Sequence, residues 1–172
     1  MKNVMLDLET MGTSPGSCIV QIGAVEFSES EIGKPFSVNI DLESCVNIGL
    51  RIDPKTVMWW MSQSDEARKS LTVDCVQLRD ALSMFTEWIG TERAAIWGDG
   101  ATFDNVLLSS AFRAAKMPTP WHYANDRCYR TLKNLFPVER ILPDCPHKAA
   151  SDAIAQAKQV QAIVAKYNFV LL

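Results

Sequence analysis

The chain opens on Val4-Met5-Leu6-Asp7-Leu8, an apolar run broken by one acid near its end, which predicts a mostly buried strand over residues 3–8. A turn follows at Pro15-Gly16, then a second apolar stretch over residues 19–27 and another turn over 29–33. Residues 35–41 alternate Phe36, Val38 and Ile40 and predict a third strand. Three short strands joined by short turns make an antiparallel meander. The period then changes. Asp53-Pro54 places a proline at a first helical position. Leu78, Ala81, Leu82, Phe85, Trp88 and Ile89 recur at helical spacing, in a helix expected to open near Asp74 and stop at Gly90. Residues 94–97 form a short apolar strand ending at Gly98, helical spacing resumes over 103–116, and 128–135 reads as a further helix or a short strand. The clearest helix covers 149–167, with Ala153, Ile154, Ala157, Val160 and Val164 on one face. Strands first and alternating helices and strands later give an α/β fold, a mixed sheet flanked by helices. No linker interrupts the pattern, so residues 1–172 read as one domain.

Composition narrows the class. A chain of 172 residues, 48% hydrophobic and 22% charged, can bury a full core without disulfides or a structural metal. Its five cysteines include no C-x-x-C pair, so reduced thiols are expected rather than a disulfide framework or a four-thiolate zinc site. No apolar run approaches the roughly 20 residues of a membrane span, and Asp7 and Glu9 interrupt any secretory core at the N-terminus. The expectation is a cytoplasmic protein with no membrane partner. A net charge of −3 argues against a nonspecific duplex-DNA binder, which would carry a basic face. It leaves room for an enzyme that grips nucleic acid through bound metal ions.

Three segments carry chemistry. Asp7 and Glu9 stand two apart at a strand end and therefore point to one face, where like charges repel and a cation would relieve them. Phe103-Asp104-Asn105 follows the strand at 94–97 and the small-residue turn Gly98-Asp99-Gly100, which puts Asp104 in the first turn of a helix. His147 lies five residues before Asp152 at the opening of the last helix. Each has an ordinary structural account when taken alone: an exposed strand end, or an acid favoured by the helix dipole.

Taken together and in order, Asp7-Leu8-Glu9-Thr10, Phe103-Asp104 and His147-x4-Asp152 resemble the motifs of the DEDDh 3′–5′ exonucleases, whose fold is ribonuclease H-like. The resemblance spans essentially the whole chain. Asp7 to Gly12, Trp59-Trp60 followed by Gln63, Trp97-Gly98-x-Gly100 and Arg130-Thr131 are similar to the branch of phage and prophage exonucleases related to exodeoxyribonuclease VIII. One departure is Thr10-Met11-Gly12, where many relatives read Thr-Gly-Leu; Met11 is the substitute expected for the apolar contact to the terminal base.

The resemblance implies hydrolysis of phosphodiesters from single-stranded DNA or RNA 3′ ends, releasing 5′-mononucleotides. It implies two Mg²⁺ or Mn²⁺ ions held by Asp7, Glu9, Asp104 and Asp152, ions that hard oxygen ligands favour over zinc. His147 would be the general base, an imidazole suiting proton abstraction near neutral pH. Thr10, Met11, Phe103 and Arg130 are the expected substrate contacts, with Arg127, Arg130 and Lys133 as a local basic cluster and Lys148 an addition to it. Trp59 and Trp60, adjacent on a helix, are not expected to share a face; core packing is the plainer account of both, base stacking by one of them the sharper. A homodimer is compatible with the resemblance. Two readings compete: a nucleic-acid-binding or accessory subunit of the same fold without catalysis, and a different metal-dependent phosphodiesterase acting on small nucleotides.

Overall fold

The computed structural model describes residues 1–171. Strands β1 (Lys2–Thr10), β2 (Ile19–Phe27) and β3 (Phe36–Asn39) form the antiparallel meander. Strand β4 (Ala94–Gly98) runs parallel to β1 on its other side, and β5 (Asp126–Cys128) runs parallel to β4, giving the order β3-β2-β1-β4-β5. The helices are α1 (Leu42–Asn47), α2 (Pro54–Met61), α3 (Asp65–Ser70), α4 (Leu78–Ile89), α5 (Asp104–Ala114), α6 (Tyr129–Leu135) and α7 (Ala149–Tyr167). This is the ribonuclease H-like mixed sheet that the motif order implies.

The alternation of β1 decides where each side chain goes. Val4, Leu6 and Leu8 face one layer, where Leu82 and Phe85 of α4 and Leu107 and Phe112 of α5 close the larger core. Met5 faces the other layer, against Ala153, Ala157 and Val160 of α7. Asp7 and Glu9 continue the Met5 row, so they leave the apolar region on the side that α7 covers. The register slips only after them, between Glu9 and Thr10.

Several elements differ from the sequence pattern. Helices α1 and α3 have six residues each, too few for a hydrophobic period to register; they are started by side-chain caps from Asp41 and Ser64. Asp74 does not open α4. It has a left-handed backbone (φ 50°), and the helix begins four residues later, at Leu78 after Gln77. Strand β3 ends at Asn39, and Ile40 instead makes an isolated bridge to Val76. Residues 128–135 prove to be a junction: three-residue β5 ends at Cys128, and α6 starts at Tyr129. No described helix is long and apolar enough to cross a membrane.

Candidate active site

Side chains from four parts of the chain border one cavity of about 630 Å³: Asp7, Glu9 and Thr10 of β1, Trp59 and Trp60 of α2, Phe103 at the start of α5, and His147, Asp152 and Gln156 at the start of α7. Asp7, Glu9 and Asp152 each offer a carboxylate oxygen, and these oxygens lie within 4.8 Å of one another. Asp104 stands behind this trio. It is 2% exposed and does not reach the cavity wall, but its charge acts on both Asp7 and Glu9.

Glycine makes the convergence possible at two points. Gly23 pairs with Asp7 across β1 and β2, and a β-carbon there would run into the backbone of Ala149 and Ala150. The missing side chain lets the start of α7 settle against the sheet beside Asp7. At Gly98, a β-carbon would meet that of Asp104 at 2.9 Å, so the end of β4 must be bare for α5 to begin there.

Buried amides then hold the start of α7. Lys148, its N-terminal flanking residue, supplies no side-chain cap. Instead Gln21 of β2 accepts the Ala149 N–H at 2.7 Å and donates to Asn39 Oδ1 at 2.6 Å. Asp152 accepts the Lys148 N–H at 3.1 Å, so it also has the local helix-start role that its position suggested. One turn on, Gln156 Nε2 donates to Asp7 Oδ1 at 2.7 Å, tying helix to strand, while Gln156 Oε1 is buried without a partner.

His147 has a left-handed backbone (φ 59°), which turns the chain sharply just before α7. Its ring stands edge-to-face to Trp59 at 5.3 Å and to Trp60 at 6.1 Å. The adjacency rule for Trp59 and Trp60 is therefore overridden. Trp60 is 4% exposed and anchored by Nε1 to the Thr10 carbonyl at 2.9 Å, Trp59 is 44% exposed, and both border the cavity and flank the imidazole.

The electrostatics follow from crowding four acids in little water. Burial, then the charges of Asp104, Glu9 and Asp152, push the Asp7 carboxyl well above the ordinary range. Glu9 is pushed up to about 8 by burial and by the charges of Asp152 and Asp104. Asp104 is pushed up to about 7 by burial and the charge of Asp99. Burial also raises Asp152, opposed by the Lys148 N–H and by His147. Neighbouring acids that hold protons near neutrality are a site short of positive charge. Hard oxygen donors in this spacing fit divalent cations.

Three expected substrate contacts stand differently. Thr10 borders the cavity, with its hydroxyl donating to the Gly12 carbonyl at 2.8 Å. Met11 does not border it: its side chain packs into the core beside Trp60 and lines a separate apolar pocket with Val20, Leu42 and Leu71. Arg130 is also outside, held by Asp99 Oδ1 at 3.2 Å, while Lys133, bonded to Asp99 Oδ2 at 2.9 Å, does line the cavity. The other cations on the wall, Lys55 and Arg140, escaped the sequence reading because neither sits in a motif. Gln156 could have been found, since residues four apart share a helix face and Asp152 was already placed.

The sequence profile of the family described as the 3′–5′ exoribonuclease Rv2179c-like domain matches residues 2–164. The chain is 25% identical over 130 residues to an exodeoxyribonuclease of Enterobacteria phage T4, covering 66% of this chain and 56% of the phage protein. Among solved structures, the fold resembles E. coli exonuclease I in a complex with single-stranded DNA and zinc (TM-score 0.69, 15% identity, 97% of this chain and 41% of that one). It also resembles the nuclease domain of 3′hExo, a DEDDh family member bound to rAMP (TM-score 0.65, 13% identity, 96% of this chain and 92% of that one). The chain thus spans little more than half of the phage protein and about two fifths of exonuclease I. The profile match across nearly all of the chain establishes that the chain belongs to the Rv2179c-like 3′–5′ exoribonuclease domain family.

Proposed function

We propose that this chain removes nucleotides from the 3′ end of single-stranded nucleic acid in a reaction that depends on Mg²⁺ or Mn²⁺. One observation carries the proposal: oxygens of Asp7, Glu9 and Asp152 within 4.8 Å of one another, with His147 on the same cavity. Asp7, Glu9 and Asp152 would hold the ions, and Asp104, buried behind them, completes the acidic set. Ions held there would supply Lewis-acid polarisation of the phosphodiester and offset charge on the attacking and leaving oxygens.

The chain's own residues do the rest. His147 takes the proton of the attacking water, and the edges of Trp59 and Trp60 hold its ring in place. Gln156 keeps one oxygen of Asp7 occupied and so fixes the direction of the other. Thr10 and Phe103 border the same space and would meet the terminal nucleotide. Lys55, Lys133 and Arg140 supply the cationic wall that a phosphate backbone needs, although the chain as a whole is acidic.

The test is a time course with single strands of DNA and of RNA, labelled at the 3′ or the 5′ end, with and without Mn²⁺. Release of label from 3′-labelled strands first, as mononucleotide, is expected, with activity lost in EDTA and in Asp7→Ala by about 10³-fold or more. An Asp7→Ala protein as fast as the parent would overturn the proposal. Binding without cleavage at any ion concentration would point to a non-catalytic subunit, and cleavage of mononucleotide esters alone to a small-nucleotide hydrolase.

A further inference from the structure

Between α6 and α7 the chain runs from residue 136 to 148 without helix or strand, and prolines 137, 143 and 146 keep it irregular. A single buried side chain holds its middle. Gln159 of α7, 5% exposed, accepts the Ile141 N–H on Oε1 at 2.6 Å and donates from Nε2 to the Glu139 carbonyl at 3.0 Å. An N–H and a carbonyl two residues apart on one side of an extended chain are what a neighbouring strand would pair with. Here the glutamine amide takes the strand's place. The residue between the two bonds is Arg140.

Arg140 lines the cavity, is exposed, and has no carboxylate within ion-pair distance among the described residues. Its charge nevertheless acts on Asp152 and on Tyr129, so it belongs to the acidic end of the cavity. Its neighbours are differently placed: Asp99 occupies both Arg130 and Lys133, and Lys133 also lies over the Tyr129 ring at 4.6 Å. Arg140 is therefore a guanidinium left free for an incoming anion, on a backbone fixed on both sides.

We infer that Arg140 grips a backbone phosphate of the substrate strand beside the one being cut, and that Gln159 is the positioning residue that aims it. This deepens the exonuclease reading and rests on it. A planar guanidinium engages phosphate oxygens two at a time, and a fixed backbone reduces the entropy lost when it does so.

The experiment measures binding of fluorescent single-stranded DNA and RNA 10-mers in EDTA across a salt series, with hydrogen exchange at the Ile141 amide and steady-state kinetics with Mn²⁺. Arg140→Ala, an exposed change that leaves the core intact, should weaken binding about tenfold and lower the salt slope by about 1. Arg140→Lys should keep the slope but recover only part of the affinity. Gln159→Met should speed exchange at Ile141, weaken binding severalfold and raise KM with kcat within about twofold. An unchanged affinity and slope in Arg140→Ala would overturn the phosphate contact while leaving the exonuclease reading intact. Fast Ile141 exchange in Gln159→Met with no change in affinity or KM would overturn the positioning role. A parent protein that neither binds nor cuts any strand would overturn the exonuclease reading itself, and this inference with it.

Discussion

The two walls of the cavity are built in opposite ways. On one wall Asp7 and Glu9 belong to β1, with Asp104 behind them in the first turn of α5, and hydrogen-bonded strands and a packed core fix them. On the other wall His147 and Arg140 lie on a segment with no ladder of its own. Buried glutamines reaching out of regular elements hold that segment instead: Gln21 at Ala149, and Gln159 on either side of Arg140. The difference teaches that crowded like charges need a rigid frame to stay together. A base and a cation that must meet substrate need only be anchored at a few points.

Changes on each wall should accordingly give different signatures. The largest is expected at His147→Ala, a drop in rate of about 10²–10⁴-fold with Mn²⁺ affinity nearly unchanged by calorimetry. A parallel loss of ion affinity would mean that the two walls are not separable. Gln156→Leu crosses from the second wall to the first, since it frees Asp7; ion affinity should fall about 10–100-fold while the melting temperature moves little. Gly23→Ala attacks the contact where the walls meet. Forcing α7 off the sheet should cost about 1–3 kcal/mol in denaturant unfolding, with activity falling further than stability because Asp152 and His147 shift from Asp7.

The smallest effect belongs to the acidic wall alone. Glu9 and Asp104 have carboxyls raised to about 8 and about 7, so the folded protein without ions holds protons that the unfolded chain has released. Their contribution is fully present below the ordinary carboxyl range near pH 4 and is lost as pH rises through 7 to 8. Thermal melts in EDTA should therefore fall between pH 6 and pH 8.5, and Mg²⁺ should flatten the decline. A melting temperature that rises over this interval in EDTA would contradict the origin given for those shifts.

What could be read from the sequence divides along the same line. Strands β1 to β4, α4 and α7 announced themselves by period, and the motif residues Asp7, Glu9, His147 and Asp152 meet at one cavity because strand parity and helix starts are local rules. Asp104 obeys the same rules yet lies behind the wall, a depth that no spacing encodes. Met11 follows the strand motif in sequence but comes after the slip in register, and the core takes its side chain. Arg130 and Lys133 looked equivalent, three apart on one helix; a shared partner, Asp99, turns one away from the cavity and leaves the other on it. Arg140 and Gln159 were invisible because their pairing joins a patternless stretch to a helix 18 residues further on.

The indole of Trp59, nearly half in water and edge-on to the His147 imidazole, gives the protein a reporter of its own. A base stacked on the ring would change its emission. Steady-state fluorescence of the unlabelled protein can therefore follow the arrival of a strand, without a dye and before any bond is broken.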